Sequence, residues 1–191
     1  MFDNIIIKTE IFNDPFQILE IAKKQVFFEK NKHPEISHLK YNNYKGYRTK
    51  QLSKILSSSD FDLIHGQIFS KFISSESFNY KFNFDCGFDS YFHYLTKNDV
   101  YNDSWIHIDG RDTIFAGVIY LSENNDSSFG TKIFLGDDVK YIDSKFNSGV
   151  LYNSILKHSP CKDGFGESVN DARLTLTFFI KKLNLYLTGL D

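Results

Sequence analysis

The spacing of apolar residues changes near Ser77, from the three- and four-residue steps of helices to the alternation of strands. Aromatic and polar residues alternate over 78–84, which predicts a half-buried strand. Further strand candidates, separated by clusters of Asn, Asp, Ser and Gly, lie at residues 91–96, 104–109, 114–122, 131–135, 149–155 and 172–182. Such a run of short strands predicts an antiparallel β structure for the C-terminal part of the chain.

Two helices are predicted before this change of spacing. Asp14 followed by Pro15 is typical of a capped helix start. The apolar stripe of this first helix is predicted to contain Phe16, Leu19, Ala22, Val26 and Phe27. Asp60 is predicted to cap a second helix, because apolar residues keep helical spacing over residues 63–73.

This order of elements predicts a mainly β fold: a jelly roll or cupin-like barrel, buttressed on one face by two or more N-terminal helices. The 20 Phe and 11 Tyr residues agree with a high strand content. A length of 191 residues fits a single domain spanning 1–191. We expect residues 1–76 to provide helical support and a leading strand, and residues 77–182 to form the β core.

Charge and cysteine content argue against several classes of function. The formal net charge is −2, from 22 basic and 24 acidic residues, so no nucleic-acid surface and no attraction to anionic membranes is predicted. Cys86 and Cys161 are too few for a disulfide framework. The sequence shows neither a secretory signal pattern nor an apolar run long enough to span a bilayer. We therefore expect a soluble, cytoplasmic protein.

The segment from Trp105 to Asp109 places an imidazole and a carboxylate two residues apart. Residues i and i+2 of a strand point to the same side, so His107 and Asp109 are predicted to converge. His158 follows near another strand end and would complete the two-histidine, one-carboxylate triad of non-heme Fe(II) oxygenases. A lone His-x-Asp at a solvated strand end is the alternative. The other histidines lack ligand-like partners in sequence and are predicted to have ordinary roles: His33, His38, His65 and His93.

Arg173 opens the last predicted strand. Alternation places Arg173 and Thr175 on one face of that strand and a row of apolar residues on the other. If the apolar face meets the helices, Arg173 points into the barrel, where an unpaired guanidinium is costly and requires an anion. A bound carboxylate and a structural salt bridge to an Asp or Glu are both compatible with the sequence.

These motifs, in this order, resemble the iron(II)/2-oxoglutarate-dependent dioxygenases, especially their prolyl-hydroxylase-like branch. The resemblance covers about residues 90–182 and rests on His107-x-Asp109, the segments 116–122 and 130–134, His158, and Arg173-x-Thr175. It implies a double-stranded β-helix in which His107, Asp109 and His158 bind Fe(II). It also implies that Arg173 binds the distal carboxylate of 2-oxoglutarate, with further cosubstrate contacts from Thr175, Tyr120 and Tyr94. The alternative for Tyr94 is an aromatic residue of the core.

The resemblance further implies O2 as a reactant, a possible stimulation by ascorbate, and release of succinate and CO2. The chain departs from the prolyl hydroxylases in a longer interval between His158 and Arg173, where residues 161–170 would form an insertion and a mobile lip over the metal. Ser122 also stands where the family strand has Asn. These departures leave the metal assignment intact and the subfamily open.

Two other classes of function remain open at this stage. One is a cupin-like module that binds a metal or an anion without turnover, although such a role does not require all four of His107, Asp109, His158 and Arg173. The other is a related oxygenase reaction: halogenation is disfavoured because Asp109 occupies the halide position, whereas desaturation and hydroxylation are not separated. The sequence leaves the substrate, small-molecule or peptidyl, and the oligomeric state undetermined.

Overall fold

The computed structural model describes residues 5–35, 44–73, 82–110, 112–123 and 126–187, with the backbone alone for 82–86 and 182–187. The α-helices in these ranges are α1 (Pro15–Lys23) and α2 (Ser58–Phe72). The strands are β1 (Ile5–Lys8), β2 (Phe27–Glu29), β3 (Tyr47–Thr49), β4 (Phe82–Leu95), β5 (Phe115–Tyr120), β6 (Thr131–Leu135), β7 (Asp138–Ile142), β8 (Ser148–Asn153), β9 (His158–Pro160) and β10 (Arg173–Leu187). Neither helix has the length and apolar character needed to cross a membrane.

Helix α1 begins where the sequence predicts and ends earlier. Asp14 caps it by accepting a 3.0 Å hydrogen bond from the Gln17 N–H, and Pro15 takes the first helical position. The helix ends before Val26, which is 68% exposed, and Phe27 opens strand β2. The prediction that Val26 and Phe27 belong to the helix was wrong, because a three-residue strand is too short to show a period of its own.

Helix α2 begins before the predicted cap. The Ser57 hydroxyl accepts a hydrogen bond from the Asp60 N–H at 3.2 Å, so Ser57 is the cap and Asp60 lies in the first turn. The Ser57 hydroxyl lies 2.8 Å from the Asp60 carboxylate, which faces the positive end of the helix dipole. The prediction of Asp60 as the cap was wrong, because both residue types suit helix starts and Ser57 comes first.

Seven strands form the larger sheet, in the order β1-β8-β5-β10-β4-β3-β2. Its centre is the long antiparallel pair of β4 and β10. The sequence predicted separate strands at 78–84 and 91–96, but residues 82–95 form one continuous strand, and 78–81 lie outside the described residues. Two unpredicted strands, β2 and β3, extend this sheet from the N-terminal part of the chain.

Three strands form the smaller sheet, in the order β7-β6-β9. Strand β7 was not predicted; it has five residues, and four of its side chains are exposed. His158 begins strand β9, whereas the sequence placed it after the end of the preceding strand. The predicted strand at 104–109 is absent: a short 3-10 turn at Asp103–Trp105 is followed by a single isolated bridge at His107.

The larger sheet is packed on both faces. Its outer face meets both helices in one apolar core, to which Leu174, Leu176 and Phe178 of β10 contribute. Its inner face packs against the smaller sheet through residues such as Tyr152 and Ile133. This is the predicted mainly β jelly-roll architecture with a helical buttress. Within the described ranges the strands form two open sheets rather than one closed barrel.

Candidate active site

The backbone itself joins His107 to His158. The His107 N–H donates to the His158 carbonyl at 3.1 Å, and the His158 N–H donates to the His107 carbonyl at 2.9 Å. Two residues later, the Asp109 N–H donates to the Ser154 carbonyl at 3.1 Å. These bonds hold His107 against β9 and Asp109 against the residue that follows β8, without a regular strand, and the convergence predicted from i and i+2 spacing is retained.

The side chains of His107, Asp109 and His158 converge, with ligand atoms within 4.8 Å of one another. His107 Nε2 lies 3.9 Å from Asp109 Oδ1, and His158 Nε2 lies 3.6 Å from Asp109 Oδ2. In both imidazoles, Nδ1 lies within hydrogen-bond distance of the carbonyl two residues earlier, at 2.7 Å for His107 and 3.0 Å for His158. If Nδ1 carries the proton, each Nε2 presents a lone pair to the carboxylate.

The electrostatics of this group fit a bound cation. Burial lowers the pKa of His158 to about 4, so its imidazole is neutral near pH 7. Burial and the neighbouring His158 lower the pKa of His107, whereas burial raises that of Asp109. Asp109 Oδ2 is buried without a hydrogen-bond partner. Two imidazole nitrogens and an unsatisfied carboxylate oxygen are suitable ligands for a divalent transition metal.

Arg173 lies in the same cavity as the three candidate ligands. Its Nε donates to the Phe129 carbonyl and its Nη2 donates to the Gly130 carbonyl, the latter at 3.1 Å. The close approach of the chain at Gly130 requires glycine, because a Cβ there would lie 1.7 Å from the Ile142 carbonyl oxygen. No carboxylate in the described ranges pairs with Arg173, which is only 5% exposed, so the structural salt bridge considered above is not found there.

The three other residues predicted to contact the cosubstrate, Thr175, Tyr120 and Tyr94, lie in different surroundings. Thr175 lines the cavity beside Arg173. The Tyr120 hydroxyl is buried and donates to the Thr131 hydroxyl at 2.8 Å, and its ring centroid lies 5.8 Å from the Arg173 guanidinium carbon. Tyr94 pairs with Leu174 on the helix-facing side of the sheet and stacks on Tyr47. It therefore packs against the core, the alternative considered above, and the structure does not bring it to the cavity as the cosubstrate prediction required. Side chains alternate between the two faces of β4, so the sequence neighbours of Tyr94 line the cavity instead.

Two residues that line the cavity had no site role in the sequence prediction. His93 faces the cavity from β4, and its Nε2 donates a hydrogen bond to the Lys45 carbonyl. Burial and the nearby Arg48 charge lower the pKa of His93 to about 3. Arg48 reaches the cavity from β3, a strand of three residues, so no periodic signal indicated the direction of its side chain. His33 and His65 are instead buried with hydrogen-bond partners elsewhere, and His38 lies outside the described residues.

The segment predicted as a mobile lip, residues 161–170, is tied to the turn that follows β4. The Gly164 N–H donates to the Asp99 carbonyl at 3.1 Å, and the Lys97 N–H donates to the Gly166 carbonyl at 3.0 Å. The cavity is lined instead by the preceding residues Ser159 and Pro160. Movement of the segment stays a prediction.

No protein-family model matches the chain, and no curated protein sequence matches it. Solved structures do match. A prolyl hydroxylase from Trichoplax adhaerens, in complex with a hypoxia inducible factor peptide, is 16% identical with a TM-score of 0.65 over 94% of this chain and 84% of that one. The viral collagen prolyl hydroxylase of Paramecium Bursaria Chlorella virus-1, in its 2-oxoglutarate complex, is 14% identical with a TM-score of 0.55 over 93% of this chain and 96% of that one.

A third match shows that the fold is shared beyond prolyl hydroxylases. The α-ketoglutarate-dependent epimerase SnoN from nogalamycin biosynthesis is 10% identical, with a TM-score of 0.61 over 98% of this chain and 80% of that one. At these identities the likeness concerns the fold. The chain therefore has the fold of the 2-oxoglutarate-Fe(II) oxygenases, as its sequence motifs predicted, and carries a His-Asp-His group that could hold a metal ion.

Proposed function

We propose that this protein is an Fe(II)/2-oxoglutarate-dependent dioxygenase that hydroxylates an unactivated C–H bond of its substrate. One observation carries the proposal: two imidazole nitrogens and an unsatisfied carboxylate face one another in a cavity that also contains a buried arginine without a carboxylate partner among the described residues. The first group suits a divalent metal and the second suits an acid. Fe(II) with 2-oxoglutarate meets both requirements.

His107, Asp109 and His158 would hold Fe(II). The contacts of Nδ1 with backbone carbonyls fix both imidazoles with Nε2 toward the metal position. Arg173 would bind the distal carboxylate of 2-oxoglutarate, and the hydroxyl of Thr175 lies on the same face of β10. The Phe129 and Gly130 carbonyls orient the guanidinium but carry no full charge to neutralise it. Tyr120 would contact the cosubstrate only if its hydroxyl leaves Thr131.

When bound, Fe(II) and 2-oxoglutarate would supply O2 activation coupled to oxidative decarboxylation, converting 2-oxoglutarate, O2 and a C–H bond into succinate, CO2 and an alcohol. The chain's own residues position the reactants and limit access by water. Trp105 is 5% exposed and Tyr152 is 3% exposed, and both form walls of the cavity. Tyr152 also packs on the His158 ring, with centroids 4.7 Å apart, which restricts that imidazole.

The direct test is succinate formation from labelled 2-oxoglutarate, followed by NMR with Fe(II), O2 and ascorbate. We expect slow turnover without the substrate. His158→Ala should reduce iron affinity at least about tenfold, because replacing even a residue that only orients a metal ligand typically costs that much. Succinate formation should fall with the iron affinity. The fold should persist, because the hydrogen bonds between residues 107 and 158 use backbone atoms.

His65→Gln is the matched control, since His65 is a buried histidine whose ring bonds Phe61 and Ser90 away from the cavity. Its iron content and succinate formation should remain close to those of the unchanged protein. If the His107→Ala and His158→Ala variants both kept the iron content of the unchanged protein, the metal assignment would be contradicted. Tight binding of metal and 2-oxoglutarate without any succinate would favour a non-catalytic binding module.

A further inference from the structure

Arg48 occupies a position between the candidate metal site and the exterior. It lies on β3 opposite His93 of β4 and lines the cavity that contains the metal triad and Arg173. It also lines an adjoining outer groove, formed with Tyr91, Thr113 and Lys181, that shares His107 and Asp109 with the cavity. Arg173 lines the cavity but not this groove. The groove therefore gives access to the metal ligands from the side of Arg48.

The Arg48 guanidinium is held by aromatic rings rather than by a carboxylate. Its central carbon lies 4.5 Å from the Tyr44 ring centroid and 5.2 Å from that of Tyr91. Its Nε is buried without a hydrogen-bond partner, and burial lowers its pKa. In the described ranges no Asp or Glu pairs with it.

Asp109 attracts the Arg48 charge but belongs to the candidate metal group, and two further acids of this region are also engaged. Asp89, which shares the outer groove, forms a short ion pair with Lys181 and accepts a hydrogen bond from Gln51. Glu35 pairs with Lys54 at 2.9 Å and accepts from the Gln51 backbone. Neither has its charge free for Arg48. Arg48 is only partly exposed, and a guanidinium without a counter-ion in such surroundings is stabilised when an anion from outside the chain binds it.

The expected occupants of the site do not supply that anion. The charges of Fe(II), Asp109, 2-oxoglutarate and Arg173 cancel, which leaves Arg48 as the uncompensated cation of the inner wall. Lys45 also reaches the cavity but is exposed, so solvent and salt screen its charge. The missing negative charge is therefore expected on the substrate, an argument that rests on the function proposed above.

We propose that Arg48 binds a carboxylate group of the primary substrate in the outer groove and thereby positions the substrate beside the metal site. A planar guanidinium matches a carboxylate in bidentate fashion, and a single cation balances a single negative charge. A phosphate dianion would be left with an unmatched charge. Tyr44 and Tyr91 orient the guanidinium, so its N–H groups are available to the substrate without a large ordering cost.

The test uses benzoate, benzamide and phenyl phosphate as probes of the protein loaded with Mn(II) and N-oxalylglycine, which fills the 2-oxoglutarate position. Affinity is measured by ligand NMR, and relaxation caused by Mn(II) reports whether the probe lies near the metal. We expect benzoate to bind near the metal more tightly than the other two. Arg48→Gln should weaken benzoate binding at least about tenfold and leave benzamide binding unchanged.

Lys45→Gln is the matched control, because it removes an exposed cation that also lines the cavity and leaves the ion pair of Asp89 with Lys181 intact. Its effect on benzoate should stay within about twofold. Arg48→Lys keeps the charge but loses the planar guanidinium, so it should give an intermediate loss of benzoate affinity. It replaces Arg48→Gln in the test if that variant has a much lower melting temperature than the unchanged protein. Benzoate affinity independent of Arg48, or tighter binding of phenyl phosphate, would overturn this inference. Failure of Mn(II) and N-oxalylglycine to bind would instead contradict the proposed function, and the same probe titrations on the metal-free protein would still test Arg48.

Discussion

At the scale of single residues, the site depends on groups whose partners are backbone atoms. Both candidate histidine ligands are oriented by carbonyls two residues earlier, and Arg173 is oriented by two carbonyls of the Phe129–Gly130 segment. Such contacts fix direction without neutralising charge. The buried charges of Asp109 and Arg173 therefore stay available for a metal ion and an acid.

Replacing Arg173 with Lys separates its proposed role as a cosubstrate anchor from a purely structural role. The lysine keeps the charge but loses bidentate geometry, so 2-oxoglutarate affinity should fall by about 1.5–3 kcal/mol, roughly tenfold to a hundredfold. Loss of the two contacts to backbone carbonyls should lower the free energy of unfolding by only about 1 kcal/mol each. Calorimetric titration with 2-oxoglutarate in the presence of Mn(II), together with a melt of the metal-free protein, measures both. Unchanged affinity with a large loss of stability would exclude the anchor role.

At the scale of elements, histidine chemistry also joins helix α2 to the larger sheet. His65 Nδ1 lies 2.7 Å from the Phe61 carbonyl of its own helix, and Nε2 lies 2.8 Å from the Ser90 hydroxyl of β4. The side chain is 3% exposed, and burial lowers its pKa to about 4. His65 thus docks the helix as a neutral ring.

This contact predicts a pH dependence of stability. Below the ordinary histidine pKa of about 6.5, the unfolded chain takes up a proton that folded His65 resists, so stability falls as the pH decreases from about 6.5 toward 4. At pH 4.5 the loss due to His65 should be about 2 kcal/mol relative to pH 7.5. His158 and His93 contribute in the same direction and Asp109 in the opposite one, so His65→Gln is compared with the unchanged protein by urea unfolding at both pH values. The same pH dependence in both proteins would contradict the assignment.

At the scale of the whole molecule, long elements were predictable and short ones were not. Alternation over β5, β8 and β10 and helical spacing over α1 and α2 were sufficient for the two-layer β fold with its helical buttress. Strands β2 and β3 have three residues each, too few to show a period; β3 pairs with β4, and β2 pairs with β3. Because Arg48 lies on β3, missing that strand also meant missing a cavity residue.

The predictable part of the site follows the same division. The sequence predicted His107, Asp109, His158, Arg173 and Thr175 as site residues, and the structure brings them to one cavity. The strand assumed for His107 was wrong, yet two backbone hydrogen bonds to His158 keep its side chain on the expected side. Tyr94 was assigned to the cavity by resemblance alone, and the register of β4 with β10 places it on the other face.

A crystal structure with Mn(II) and N-oxalylglycine tests the central claim most directly, because anomalous scattering locates the metal independently of any assumption about its ligands. We predict a single Mn(II) bound by His107 Nε2, an Asp109 oxygen and His158 Nε2. The distal carboxylate of N-oxalylglycine should lie within hydrogen-bond distance of the Arg173 guanidinium. Mn(II) bound elsewhere, or Arg173 turned away from N-oxalylglycine toward a carboxylate of the chain, would contradict the account.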